Sequence, residues 1–182
     1  MKGKRGKIQD KIDARFLEKR KIFMWGPVDE KSAKHVIDRL LYLDLEGKEE
    51  IQLYISSAGG YITDGFAIYD TIQEITAPVS TICSGLAASI GAILLSAGKK
   101  GRRFIQPHAK VMIQQPSGGT NGQASNIEIQ ATEIIKTKEI SAEILAENCN
   151  HSVQKIMKDF NRDYWMSAQE SLAYGIVDNI LK

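Results

Sequence analysis

VSTICSGLAASIGAILLSA, residues 79–97, is the stretch on which the rest of the chain is organised. It opens with β-branched residues (Val79, Thr81, Ile82), turns through Gly85 and small residues, and closes as an apolar, helix-competent run from Ile90 to Leu95. Ser89 falls where strand has become turn and helix begins. Free backbone N–H groups and the helix dipole favour a developing negative charge at such a point, so a hydroxyl there suits a nucleophile. It equally suits a buried serine or an ordinary helix cap, because serine is among the preferred capping residues.

Composition sets the frame. A chain of 182 residues is expected to be a single domain spanning 1–182, long enough to bury a sizeable core. Its 43% hydrophobic and 25% charged residues are those of ordinary soluble globular protein. A net charge of +2 gives no reason to expect nucleic-acid binding by the whole chain. Two cysteines, Cys83 and Cys149, make no disulfide framework, and neither has a partner at zinc-ligand spacing, so no metal is expected. The first 22 residues are charged and lack an apolar segment, so no secretory signal is read there. A reducing, cytoplasmic location fits. Residues 75–98 carry no charge and are long enough to span a bilayer. Pro78, Gly85, Gly91 and six hydroxyl residues interrupt them, so a buried strand followed by a buried helix is the better reading and no membrane is expected.

In order along the chain, residues 1–21 are basic, with Ile8, Ile12 and Phe16 at four-residue steps on one face of a short helix. A first strand is expected over 21–25, then a helix capped by Asp29 with Ser32 in its first turn, and a strand over 51–56. Ala58-Gly59-Gly60 leads into a second helical pattern, then a strand over 79–83 and the Ser89 helix. This β-α alternation marks a layered α/β fold. Beyond it come an extended piece at Phe104-Ile105 and a strand over 109–115 with a polar end. A Gly-rich turn follows over 116–122, then a long helix over about 126–148 and a helix opened by Ser152. Ser167 and Glu170 form a capping box, and a final short strand is expected over 176–181.

Two strand ends invite pairing. If the strands before Gly60 and Ser89 are neighbours, the Gly60 and Ile90 N–H groups can converge on one oxygen beside Ser89, an oxyanion hole. Gly59-Gly60 alone reads just as well as a turn. No phosphate-cradle motif is present and no cofactor is expected.

The ordered motifs FLEKRKIFMWGPV, IQLYISSAGG, GFAIYDTI, VSTICSGLAASIGAILLSAG, GRRFIQPHAKVMIQQP, GQASNIEIQATEIIKTK and NRDYWMSAQESLAYGIVDNIL are similar to the proteolytic subunit of the Clp protease, the ClpP family of ATP-dependent serine peptidases. The resemblance runs from about Phe16 to Leu181. It implies an α/β, ClpP/crotonase-like fold of repeated β-α units with a long handle helix in the region of about 117–150. It implies subunits that stack as two heptameric rings, with residues 1–20 as an axial segment. A hexameric Clp ATPase would thread unfolded polypeptide into the chamber. The family's nucleophile falls on Ser89, its oxyanion donors on the backbone of Gly60 and Ile90, and its triad acid on Asp163.

The chain departs from the family in three places. The N-terminal segment is shorter and more basic, Ala58 stands where proline is usual, and the histidine motif reads Met112-Ile113-Gln114-Gln115-Pro116, so Gln114 occupies the base position. A serine hydroxyl needs a base to take its proton and return it to the leaving amine, and a carboxamide does not titrate near neutral pH. Loss of a triad member typically costs on the order of 10⁴- to 10⁶-fold in rate. His108 stands six residues before Gln114, roughly 20 Å along an extended strand, too far to substitute. Three readings follow. The chain is a subunit with little activity of its own that shares rings with an active ClpP paralogue; or an active subunit whose histidine was replaced to trap substrate; or a non-proteolytic crotonase-like acyl-thioester binder using Gly60 and Ile90 to polarise a carbonyl.

Overall fold

The structure, a computed structural model, describes residues 2–119 and 121–182, with side chains from residue 8 onward. Seven strands form one mixed sheet in the order β1 (Lys21–Trp25), β2 (Ile51–Ser57), β3 (Val79–Ala88), β4 (Arg103–Ile105) and β7 (Asn179–Ile180), while β5 (Lys110–Ile113) pairs with β3 and with β6 (Tyr164–Met166). Every pairing is parallel except β5 with β6. Parallel neighbours require crossovers, supplied here by α2 (Glu30–Glu46) between β1 and β2 and by α3 (Ile62–Glu74) between β2 and β3. Asp29 and Ser32 start α2 as a reciprocal capping box, the Asp29 carboxylate accepting the Ser32 N–H at 2.8 Å and the Ser32 hydroxyl accepting the Asp29 N–H at 2.9 Å.

The strand expected over 79–83 runs five residues further, to Ala88, and the turn expected at Gly85 is a bulge within it. Ile55 pairs with Cys83 but Ser57 pairs with Ala87, so two residues of β2 span four of β3. Gly85 supplies the positive φ, +80°, that the irregularity needs. The bulge changes the strand's neighbour. Thr81 to Cys83 lie beside β4, whereas Leu86 to Ala88 lie beside β5. The second half of β3 contains no β-branched residue, and it is its two flanking strands that hold it extended.

From β3 the chain enters α4 (Ile90–Ser96), seven residues that are all buried. Residues 75–98 are thus mostly a buried strand and a buried helix, as expected, and no helix among the described residues is long and apolar enough to cross a membrane. Burial of Ile90, Ile93, Leu94 and Leu95 contributes about 1.5–3 kcal/mol each. Under this core, Arg103 is nearly inaccessible. It binds Asp178 through Nε at 2.9 Å and donates from Nη1 to the Asn148 carbonyl at 2.7 Å, joining β4, the segment before β7 and the end of α5 (Ala124–Cys149). Asn148 in turn donates to Ser96 Oγ at 3.0 Å, which ties α4 to the same network.

Helix α5 starts two residues before the expected boundary and is buried only over its last third, at Ser141, Ala142, Leu145, Ala146 and Cys149. Ile127, Ile129, Ile135 and Ile140 are exposed on the part before it. Three other boundaries contract: β5 ends at Ile113 and leaves Gln114 and Gln115 outside it, the last strand is Asn179–Ile180, and α6 is Val153–Asp159. The N-terminal segment is not a short helix but the 17-residue α1 (Lys2–Glu18), whose Ile8, Ile12 and Phe16 lie outside the chain's core. Strand β6 has no counterpart in the sequence reading, since three residues are too few to show periodicity. Helix α7 (Ala168–Tyr174) begins at the expected Ser167–Glu170 capping box.

Candidate active site

Ser89 sits between the last residue of β3 and the first of α4, at φ 56° and ψ −125°. Few residues other than glycine adopt such a positive φ, and here the neighbours enforce it. The Ser89 N–H donates to the Met112 carbonyl of β5 at 2.9 Å, and the Ser89 carbonyl accepts from Ala92 at 2.9 Å inside α4. Its side chain makes no capping hydrogen bond. The plain capping reading of Ser89 therefore fails. The hydroxyl is held at a tight strand-to-helix turn, half-buried and without the role that caps usually have.

The Gly59-Gly60 loop lies against this turn, as the adjacency of β2 and β3 requires. A Cβ on Gly59 would stand 2.8 Å from the Ser89 Cβ and 3.1 Å from the Ala88 carbonyl oxygen, and its φ of +100° disfavours any side chain. A Cβ on Gly60 would collide with the Val28 backbone, with which Gly60 forms a parallel bridge. The Val28 N–H donates to the Gly59 carbonyl at 2.9 Å and the Tyr61 N–H to the Val28 carbonyl at 2.8 Å. Ser57, buried at the end of β2, accepts the Gly59 N–H on its hydroxyl at 3.1 Å. Sequence reasoning overlooked that residue. A serine two positions before glycine at a strand end is the local signal for such a turn. Ile90, the other expected donor, is fully buried and packs against Gly65 of α3, where no Cβ would fit.

Gln114 follows β5 by one residue, two residues past the Met112 carbonyl that holds Ser89. The antiparallel register of β5 and β6 ends at Ile113 opposite Tyr164. Asp163, the exposed residue just before Tyr164, lies at the same end of this strand pair as Gln114, beyond the last paired residues. Ser89, Gln114 and Asp163 thus flank the same ends of three adjacent strands, β3, β5 and β6, with β5 in the middle.

None of the three histidines is brought there. His108 precedes β5, at the end opposite Gln114, and lines a cavity of about 410 Å³ with Gly85, Gln106 and Leu181. His151 meets the Tyr174 carbonyl through Nε2 at 2.9 Å, and His35 lies on α2, where burial and Arg39 push its pKa down. Burial pushes the Cys83 and Cys149 thiols up to about 12, so neither serves as a thiolate nucleophile. Among the described residues no group of three His, Cys, Asp or Glu side chains could hold a metal ion.

Comparison with known protein families matches residues 4–182 to the family described as Clp protease. The chain belongs to the Clp protease family. Its fold agrees with that membership, since this mixed α/β sheet with crossover helices is the expected ClpP-type architecture. Membership supports a ClpP-type protease. The chain has a serine at positive φ with Gly59 pressed against its Cβ, and it carries Gln114 and Asp163 just beyond the paired ends of β5 and β6.

Proposed function

We propose that this chain is a subunit of a self-compartmentalised Clp serine protease whose own site is silent, and that it contributes architecture to mixed rings with an active ClpP paralogue. The observation that carries this is Gln114 at the end of β5, flanked by the Ser89 turn and by the Asp163 end of β6. Ser89 is the nucleophile position, the Gly60 and Ile90 N–H groups are the oxyanion donors, and Asp163 is the acid that would orient an imidazole. Gln114 can hydrogen-bond both neighbours but can neither accept the serine proton nor pass it to the leaving amine. Two heptameric rings stack through α5, a role supported by its exposed isoleucines at 127, 129, 135 and 140. The chamber receives unfolded polypeptide from a hexameric Clp ATPase.

The test pairs the protein with Gln114→His, using a serine-reactive phosphonate and a short fluorogenic peptide. The expected result is no labelling and near-background hydrolysis for the protein itself, with a gain of at least about 10³-fold on restoring histidine. Robust hydrolysis with Gln114 in place, abolished by Ser89→Ala, would overturn the reading. Co-purification with an active paralogue in one ring species supports the mixed assembly, and strictly separate homo-oligomers count against it.

A further inference from the structure

We infer that Gln115 is a positioning residue that sets Asp163 against position 114. The β5–β6 ladder ends at Ile113 opposite Tyr164, and a regular continuation would set Gln115 opposite Arg162. Instead the Gln115 N–H donates to the Phe160 carbonyl at 2.8 Å, and its side-chain Nε2 donates to the Asn161 carbonyl at 3.0 Å. The segment from Phe160 to Asp163 therefore bows away from β5, and both donors of one residue reach across the bow to consecutive carbonyls.

The other end of the bow is fixed. Phe160 is fully buried, and its N–H closes α6 on the Ile156 carbonyl at 2.9 Å. Asp159 accepts from the Tyr174 hydroxyl at 2.8 Å and from Lys155 Nζ at 2.5 Å. Burial pushes its carboxyl up, but these two hydrogen bonds outweigh burial and hold it below the usual range. Asn161, Arg162 and Asp163 are all exposed, so no core packing restrains them. Between the Phe160 anchor and β6, the Gln115 side chain is the contact that fixes the strap carrying Asp163. It stands next to Gln114 in sequence, so one short segment sets both the group at the base position and the strap that presents the carboxylate.

The catalytic meaning of this inference rests on the function proposed above, and its test has one arm that does not. In the otherwise unaltered chain, the pair Gln114→Cys and Asp163→Cys reports the separation of the two positions through the rate of disulfide closure with oxidised glutathione. Positions 114 and 163 each adjoin the last paired residues, Ile113 and Tyr164, so a seated strap brings their Cα atoms within the spacing a disulfide needs. Cys83 and Cys149 are buried, with thiols too weakly acidic to compete. Adding Gln115→Met, which keeps length but has no donor, should slow closure about five-fold, because the strap then opens locally. Gln115→Lys, which restores a donor, should recover it. Equal rates with and without the donor would overturn the inference, as would failure of the cysteine pair to close with Gln115 intact.

In the Gln114→His background, Gln115→Met should lower kcat about ten-fold with KM unchanged, since misplacing an orienting group by a fraction of an ångström acts on the chemical step. A loosened strap with unchanged kcat would overturn the positioning role. If Gln114→His gains no activity while the disulfide arm behaves as expected, the function proposed above fails and the clamp stands.

Discussion

The two flanks of the candidate site are built in opposite ways. On one, Ser89 and Ile90 belong to the core. β3 is paired on both sides, α4 is buried at every residue, and Gly59 is pressed against the Ser89 Cβ. On the other, Asp163 rides an exposed strap held by hydrogen bonds to two carbonyls. The difference shows where precision comes from. The serine turn is stabilised by the same packing that stabilises the domain, so its geometry cannot loosen without loss of stability. The carboxylate is placed by a few polar contacts worth about 1 kcal/mol each, so its geometry can change while the fold persists.

The largest expected effect separates the two flanks directly. In the Gln114→His background, Asp163→Asn should lower peptide hydrolysis by about 10⁴-fold, because an amide cannot hold and stabilise the imidazolium. Thermal melting should not move, since Asp163 is exposed and its side chain lies outside the core. A large drop in melting temperature would mean that the strap is part of the core after all.

Arg103→Met tests the scaffold beneath the serine flank. The substitution takes the guanidinium from the Asp178 carboxylate and the Asn148 carbonyl, leaving Asp178 its backbone partners, so a cost of about 3 kcal/mol, the low end for breaking a buried pair from one side, is expected. Melting temperature should fall while activity per folded molecule in the Gln114→His background persists. The same pair gives an acid limb. Burial pushes the Asp178 carboxyl up, yet the Arg103 hydrogen bonds outweigh it and hold the pKa below its ordinary value of 3.8. A group lowered in the folded state contributes stability above its unfolded pKa and loses it as pH falls through the folded value. Melting temperature should therefore drop below about pH 4, and Asp178→Asn should flatten that limb. An unchanged limb in Asp178→Asn would show that other carboxylates carry the acid sensitivity.

Gly59→Ala should strike both readouts at once. A Cβ at φ +100°, 2.8 Å from the Ser89 Cβ, must displace either the glycine loop or the serine turn. In the Gln114→His background a loss of about 10²-fold is expected, the scale of losing one oxyanion donor, together with a lower melting temperature. Loss of activity with unchanged melting would show that the loop moves independently of the core.

These contrasts also explain what the sequence could and could not reveal. Ser89 was legible because the change from β-branched to small to apolar residues marks the strand-to-helix turn, and the Asp29 and Ser167 caps because their partners lie three residues away. Residues 84–88 were illegible as strand because Gly85, Leu86, Ala87 and Ala88 have no local reason to be extended; β2 and β5 hold them so. Only the resemblance to the family motif points to Gln114 as the base position. Its neighbours Gln115 and Pro116 carry no signal of the clamp, whose acceptors lie about 45 residues away. Tyr164, Trp165 and Met166 form too short a run to declare themselves a strand.

The smallest effect probes the approach to the strap. Ser152 caps α6, accepting the Lys155 N–H on its hydroxyl at 3.2 Å, and α6 ends at Asp159, where the strap begins. Ser152→Ala should cost about 1 kcal/mol, the ordinary price of a lost cap. Little of that should reach Asp163, because Phe160 is buried and Asp159 is held independently by Tyr174. Hydrogen exchange should therefore rise over residues 153–156 and stay unchanged over 160–163, with kcat in the Gln114→His background altered less than about two-fold. If exchange rises across the strap as well, α6 and the Asp163 segment open as one unit. The carboxylate flank would then share a cooperative origin with the serine flank, and the contrast between them would hold only in their burial.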